Sequence, residues 1–451
     1  MADLDAIFKA YDIRGTTPDQ LDEPTARAIG AAFARFVQAQ PGGASQVLVG
    51  RDMRASGVGL AAAFADGVMD QGLDVVDLGL CSTDLVYFAA GSLDAPAVML
   101  TASHNPAQYN GMKMCLAGAK PIGEDSGLRE IKAVAAAGVP AGGGPRGTRT
   151  ERDLLGAFAD HVRSFVDLSV LRPLKVVADT ANGMGGLVVP AVFEGLPFDL
   201  EVMYAELDGT FPNHPADPIQ AENLRDLQAR VRATGADVGL AFDGDADRVF
   251  LVDETGTPLS GSATTAIVAA GVLDKEPGAT ILHNCICSKA VPEVVRERGG
   301  TPIRTKVGHS FIKGVMAETG AAFGGEHSAH YYFRDNYRAD SGAIAALVVL
   351  EQLSRSGESL SVLRKPFDRY AASGEINTTV DDPLAVIEQV AAAFPADAQD
   401  RLDGLTVDLG DWWFNLRPSN TEPLLRLNLE AADSVACAAH VAEVQALMGA
   451  D

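Results

Sequence analysis

From about residue 46 to residue 135, short apolar runs alternate with longer stretches whose apolar positions recur at helical spacing. Gln46-Val47-Leu48-Val49-Gly50, Leu73 to Gly79 and Ala97 to Thr101 predict strands, and Ser56 to Gln71 predicts a helix with Ala and Phe on one face. Strand, helix and strand at this spacing predict parallel βαβ units in an α/β layer fold. The rhythm breaks at Gly138-Val139-Pro140-Ala141-Gly142-Gly143-Gly144-Pro145, a linker composition, and then restarts. A helix near Asp153, the strand Leu174 to Ala178, a helix near Ala221 and the strand Val238 to Phe242 form a second round. A third runs through Thr280-Ile281-Leu282, helices near Lys289 and Phe311, and Ala321 to Gly324. Beyond about residue 370 the order becomes strand, helix, two or three strands, helix, a smaller α+β module carrying Trp412 and Trp413. In parallel sheets ligands sit at the carboxyl ends of strands, so the loops that follow strands are where chemistry is expected.

Length and charge narrow the class. The chain has 451 residues, room for about three domains of roughly 150 residues each. Its 36 Lys and Arg against 60 Asp and Glu give a net charge of -24, and 47% of residues are hydrophobic. That composition folds, and its acidity argues against a nucleic-acid partner. Small anionic ligands remain open, because local Arg and Lys override the global sign. No run of about 18 uncharged apolar residues occurs, and Met1-Ala2-Asp3-Leu4-Asp5 has no secretory character. Cysteines at 81, 115, 285, 287 and 437 are few and odd in number, which fits buried thiols in a reducing compartment. The expectation is a cytoplasmic protein with no membrane partner.

Four loops carry polar groups of chemical use. Thr101-Ala102-Ser103-His104-Asn105-Pro106 follows a predicted strand, and its Pro keeps the polar side chains out of a helix. His104 is not expected to act as a base for Ser103, since sequence neighbours rarely face each other. Gly308-His309-Ser310-Phe311-Ile312 lacks the last glycine of a nucleophile elbow. Asp243-Gly244-Asp245-Ala246-Asp247-Arg248 places three carboxylates at alternate positions between Val238–Phe242 and a strand beginning at Val249. They repel one another unless a cation sits among them, and hard oxygens select Mg²⁺ or Ca²⁺. A calcium loop would explain Glu254 at the twelfth position but needs glycine where Arg248 stands, so Mg²⁺ is the better fit. Gly324-Gly325-Glu326-His327-Ser328-Ala329-His330 offers hydrogen-bonding groups suited to sugar hydroxyls, or a His-x-x-His metal pair without a third ligand. Arg417-Pro418-Ser419-Asn420-Thr421-Glu422-Pro423 can cradle a phosphate or form an ordinary Asx turn. His283-Asn284-Cys285-Ile286-Cys287 reads as a strand with buried thiols rather than a zinc fragment.

In this order and spacing the four loops, with Phe8-Lys9-Ala10-Tyr11-Asp12-Ile13-Arg14-Gly15 at the start, resemble the α-D-phosphohexomutase family, closest to its bacterial phosphomannomutase/phosphoglucomutase branch. The resemblance covers essentially the whole chain. It implies three consecutive α/β domains with mixed sheets plus a smaller C-terminal α+β domain around a central cleft, at 1–150, 151–256, 257–368 and 369–451. It implies that Ser103 carries a phosphoryl group and, with Asp243, Asp245 and Asp247, holds Mg²⁺. Lys113, in Tyr109-Asn110-Gly111-Met112-Lys113, matches the family's acid/base; Arg14, His104 and Arg248 line the phosphoserine site, and His309 lies near the reacting sugar. Substrate contacts fall to Tyr11, Lys289, Glu326, Ser328 and His330, and the non-reacting phosphate to Arg417, Ser419, Asn420 and Thr421. The implied reaction interconverts mannose 1-phosphate and mannose 6-phosphate, with glucose phosphates as further substrates. A hexose 1,6-bisphosphate serves as intermediate and activator, and the enzyme is expected as a monomer or weak homodimer. The 326–330 loop departs from the commoner form through His327 and Ala329, and its Ser-Ala-His ending resembles bacterial phosphomannomutases. Phosphoglucomutase is the next expectation, and phosphoglucosamine mutase, whose branch usually has Gln at 327 and Gly where Asn420 stands, comes after it.

Two rivals remain at this point. A haloacid-dehalogenase-like phosphatase would use Asp243 as nucleophile but leaves Ser103 and the 417–421 loop without a task. A phosphosugar-binding module would keep the polar groups and lack turnover.

Overall fold

The computed structural model describes residues 3–140, 142–418 and 424–449. The chain forms two compact units, residues 1–259 with 329–363, and residues 260–328 with 364–451.

The first unit contains two sheets. In one, Ala97–Leu100, Gln46–Arg51, Asp74–Leu80 and Arg149–Glu151 run parallel. Tyr109–Leu116 joins antiparallel to Ala97–Leu100, and Ile13–Thr16 joins antiparallel to it in turn, so the sheet is mixed. The antiparallel strand Tyr109–Leu116 is not evident in the hydrophobic pattern. Asn110 and Lys113 interrupt it, and both find polar partners inside the protein. Helices Glu23–Ala39 and Ala55–Met69 cover one face, with Phe33, Phe64, Val47 and Leu100 in the shared core. Asp22 caps the first of these helices by accepting from Thr25 N at 2.9 Å, and Pro24 stands in its first turn, where no amide donor is needed.

In the second sheet Val238–Phe242 lies between Val249–Asp253, antiparallel, and Leu174–Asp179, parallel, with Phe198–Met203 beyond. Every residue of Val238–Phe242 and Val249–Asp253 is buried, which is why these runs read as near-continuously apolar. The element foreseen near Ala221 is a 3₁₀ turn, Ala221–Leu224, that leads into the α-helix Arg225–Thr234.

In the second unit Thr280–Asn284 pairs in parallel with Thr301–Thr305 and with Phe323–Gly325. Cys285 and Cys287 are buried as foreseen, but they lie in the turn after Asn284 and not in the strand. Burial pushes the Cys285 thiol up to about 12, so it is an inert thiol at neutral pH. The C-terminal module is an antiparallel sheet ordered Ala371–Thr379, Leu424–Ala431, Trp412–Pro418, Leu405–Asp408, Gln399–Asp400. Among the described residues four strands therefore follow the helix Pro383–Ala391, one more than foreseen, because Gln399–Asp400 is two polar residues with no periodicity to read. Trp412 lies in the core, with His440 stacked on it at 3.9 Å between ring centroids. Trp413 is buried too, donating Nε1 to Glu430 at 2.8 Å. Among the described residues no helix is long and apolar enough to cross a membrane.

Candidate active site

Ser103 stands just past Ala97–Leu100, with only 4% of its surface exposed and a backbone φ of 49°. A non-glycine residue rarely holds that left-handed conformation without support. Support comes from Thr101, whose Oγ1 accepts from Ser103 N at 2.9 Å. The turn brings Ser103 Oγ within 3.3 Å of His104 Nδ1, so the two neighbours do face each other, contrary to the sequence expectation. The positive φ is the reason. Even so, Nδ1 is occupied by Arg248 Nη2 at 2.6 Å and cannot take the serine proton. Burial, Arg248 and Arg14 hold the His104 pKa well below the usual histidine range, so the ring is neutral.

The serine's bond goes elsewhere. Ser103 Oγ donates to Asp243 Oδ2 at 2.8 Å, joining loops 140 residues apart. Gly244 makes this approach possible, because a Cβ there would lie 2.4 Å from Ser103 O. Asp243, Asp245 and Asp247 are buried, and one carboxylate oxygen of each lies within 4.8 Å of the others. Lys113 Nζ reaches Asp245 Oδ2 at 2.8 Å and Asp247 Oδ2 at 2.7 Å, while Arg248 Nε donates to Asp243 Oδ2 at 2.9 Å. Burial pushes the Lys113 pKa down, but the two carboxylates outweigh it and hold the ammonium charged. Burial and the neighbouring carboxylates raise Asp243 in spite of Arg248. Arg14 completes this side, donating to Asn105 Oδ1 and to Asp12 Oδ2, each at 2.5 Å.

The trio suits a hard divalent cation. Asp245 Oδ1 and Asp247 Oδ1 are buried with no hydrogen-bond partner among the described residues, a costly state for carboxylate oxygens unless a cation receives them. The calcium-loop alternative fails on geometry, because Glu254 turns away to bond the backbone N and Oγ of Ser361. Of the His-x-x-His residues, His327 Nδ1 bonds Ser262 Oγ at 3.1 Å, and His330 Nε2 lies 4.0 Å from Asp247 Oδ1.

The remaining predicted residues divide between the units. Tyr11 and His330 belong to the first, with His330 bridged through its backbone to Arg248. Lys289, His309, Glu326, Ser328 and Arg417 belong to the second. Glu326 Oε1 accepts from Asn284 Nδ2 at 3.2 Å and from Gly308 N at 3.0 Å, so strand and loop groups aim it. Lys289 Nζ is engaged by Asp408 Oδ1 at 2.8 Å and Gly410 O at 3.0 Å. Arg417 is buried and donates to Glu375 Oε2 at 3.1 Å. His309 is placed only as the first residue of the helix His309–Thr319. Ser419, Asn420 and Thr421 lie outside the described residues.

Several residues around the site were not singled out in the sequence. Thr83 Oγ1 donates to Asp245 Oδ2 at 2.6 Å, and Arg54 grips the backbone of the Ser103 loop. Asp340 stands with Asp247 and His330 in a second grouping of ligand-type atoms. Asp52-Met53-Arg54 did carry a signal, an opposite-charge pair directly after an apolar strand.

All four segments match one family, the phosphoglucomutase/phosphomannomutase domains described as alpha/beta/alpha domain I at 5–139, domain II at 156–256, domain III at 260–370 and the C-terminal domain at 375–447. The chain belongs to the phosphoglucomutase/phosphomannomutase family, a class of phosphohexose-isomerising enzymes. It is 42% identical over 434 residues to the phosphohexose mutases of Xanthomonas campestris pv. campestris, covering 95% of this chain and 96% of that one. To the phosphomannomutase of Escherichia coli (strain K12) it is 40% identical over 439 residues, 95% of each chain. A crystal structure of a phosphoglucomutase/phosphomannomutase family protein from Burkholderia thailandensis matches with a TM-score of 0.89 and 34% identity, covering 100% of this chain and 98% of that one.

Proposed function

We infer that the protein is a phosphomannomutase. Ser103 Oγ carries the phosphoryl group that passes to and from mannose 1-phosphate and mannose 6-phosphate, through a hexose 1,6-bisphosphate that also activates the enzyme. The observation that carries this reading is the 2.8 Å bond between Ser103 Oγ and Asp243, which puts the only serine of the first loop on the buried acidic trio. The phosphomannomutase names of relatives about 40% identical over nearly the whole chain support the sugar.

Mg²⁺ is the cation assigned to Asp243, Asp245, Asp247 and the Ser103 oxygen, since it prefers hard oxygens, and it supplies charge neutralisation when bound. The chain's own residues do the rest. Arg248, fixed by Asp243 and His104, faces the charge that develops on the transferring group, and Arg14 adds a second cation. Neutral His104 keeps Arg248 aimed without adding charge. Lys113, charged between two carboxylates, gives a proton to the sugar oxygen when the phosphoryl group goes back to Ser103, whose own proton passes to its acceptor Asp243. In the opposite direction the neutral amine left by that donation takes the sugar proton back and Asp243 returns one to Ser103. Glu326, Ser328 and His330 are the hydrogen-bonding groups assigned to the sugar. Arg417, Ser419, Asn420 and Thr421 are assigned to the non-reacting phosphate. These roles distinguish a mutase from a phosphatase, in which Asp243 would be the nucleophile.

A coupled assay tests the reading. With Mg²⁺ and a trace of hexose 1,6-bisphosphate, mannose 1-phosphate should isomerise faster than glucose 1-phosphate and release no free phosphate. Preference for glucose 1-phosphate would reassign the sugar, and steady phosphate release would overturn the mutase.

A further inference from the structure

Arg54 is among the largest fully buried side chains of the protein, with 1% of its surface exposed. It stands between the strand Gln46–Arg51 and the helix Ala55–Met69, and makes no side-chain cap for that helix. A guanidinium has five N–H donors, and here each meets an acceptor. Nε donates to Asp52 Oδ2 at 3.2 Å. Nη1 donates to Pro106 O at 2.8 Å and Tyr109 O at 3.0 Å, and Nη2 to Ser103 O at 2.9 Å and Asn105 O at 2.6 Å. Four of the five bonds therefore land on carbonyls of a single stretch, residues 103–109. Phe211 covers the guanidinium, its ring centroid 5.1 Å from Cζ, and Gly209 packs so closely that a Cβ there would lie 2.7 Å from Arg54 Cα.

These bonds do not touch the Ser103 hydroxyl. They hold the backbone that aims it, at a residue whose φ of 49° needs outside support. We propose that Arg54 is the positioning residue of Ser103: by gripping the carbonyls of residues 103, 105, 106 and 109 it maintains the left-handed turn that directs Oγ at Asp243. Loss of the fork therefore slows phosphoryl transfer at Ser103 and spares substrate capture. The proposal rests on Ser103 as the phosphoryl carrier. It separates shape from charge, because only one bond goes to a carboxylate. Lysine would keep the pairing with Asp52, yet its single nitrogen has three donors and cannot span the carbonyls as the planar fork does. Asp52→Asn makes the opposite change, leaving the four carbonyl bonds and removing the charge partner.

The test uses the full-length wild type, Arg54→Lys and Asp52→Asn, with folding monitored by circular dichroism. Phosphate on Ser103 is followed by mass spectrometry after addition of hexose 1,6-bisphosphate and Mg²⁺. Arg54→Lys should lose about 100-fold in kcat, as a small misplacement of a reacting group does, with the KM for mannose 1-phosphate within about threefold. Ser103 phosphorylation should slow by the same factor. Asp52→Asn should keep kcat within about tenfold of the wild type. In Arg54→Ala, guanidinium ion should restore about tenfold of the lost kcat by refilling the vacated fork. An Arg54→Lys enzyme with wild-type kcat, or one slowed without slower phosphorylation of Ser103, overturns the proposal. Failure of Arg54→Lys to fold also overturns it, by assigning Arg54 to the fold alone. A wild type that never acquires phosphate on Ser103 refutes the phosphoserine reading itself and is thereby distinguished.

Discussion

Replacing Lys113 by methionine keeps the length of the side chain and deletes the cation between Asp245 and Asp247. The side chain of Lys113 is 13% exposed and those of its partners 0% and 1%, so solvent screens the pairs little. Removing one member of a buried ion pair costs about 3–5 kcal/mol, because the remaining charge is left buried without compensation. Lys113 serves two carboxylates, while Asp243 keeps Arg248. We therefore expect Lys113→Met to lose about 4 kcal/mol of stability in chelator. The same change makes the trio more negative and removes the ammonium that competes with a metal for Asp245 and Asp247. A divalent cation at about 100 times its Kd adds about 2.7 kcal/mol to whichever protein binds it, and more at a lower Kd. Urea unfolding followed by circular dichroism, in EDTA and then in excess Mg²⁺, reads both effects. The gap between wild type and variant should be wide in EDTA and narrow in Mg²⁺, while turnover falls by about 100-fold or more. An equal gap under both conditions, or none in EDTA, would refute the charge balance described for the site.

Other perturbations test separate contacts. Gly244→Ala would place a Cβ 2.4 Å from Ser103 O, so mutase activity should fall by at least about 100-fold in a protein that still folds; unchanged kinetics would mean that the loops do not meet as described. Thr83→Val removes the 2.6 Å bond to Asp245, and Mn²⁺ titration calorimetry should show roughly tenfold weaker binding. Burial lowers the His283 pKa from 6.5 to about 4, so between these values the unfolded chain binds a proton that the folded protein refuses. That contribution is whole above pH 6.5 and is lost as pH falls toward 4, by up to about 3 kcal/mol. Urea midpoints of wild type and His283→Gln should therefore diverge over that window, and parallel curves would contradict the buried, neutral imidazole.

How much of this was legible in the sequence depends on what each residue reports. Val238–Phe242 and Val249–Asp253 are buried along their whole length, and the carboxylates between them stand out by contrast. Tyr109–Leu116 was hidden because Asn110 and Lys113 look like surface residues until Ser56, Asp245 and Asp247 are seen to receive them. Arg54 showed in the sequence only as a charge beside Asp52, since its other acceptors are backbone carbonyls and carbonyls have no sequence signature. The contact between Ser103 and His104 was misjudged because it depends on a backbone angle and not on residue type. The strand Gln399–Asp400 is too short and too polar to show a period at all.

The central claim is that Ser103 holds the phosphoryl group between two sugar oxygens. A rapid-quench single turnover tests it, starting from enzyme labelled with radioactive phosphate by hexose 1,6-bisphosphate and mixed with mannose 1-phosphate. The account predicts label on the peptide containing Ser103 at the outset, and its passage to sugar bisphosphate as fast as the enzyme turns over. Label on the peptide containing Asp243, or its release as inorganic phosphate at that rate, would contradict it.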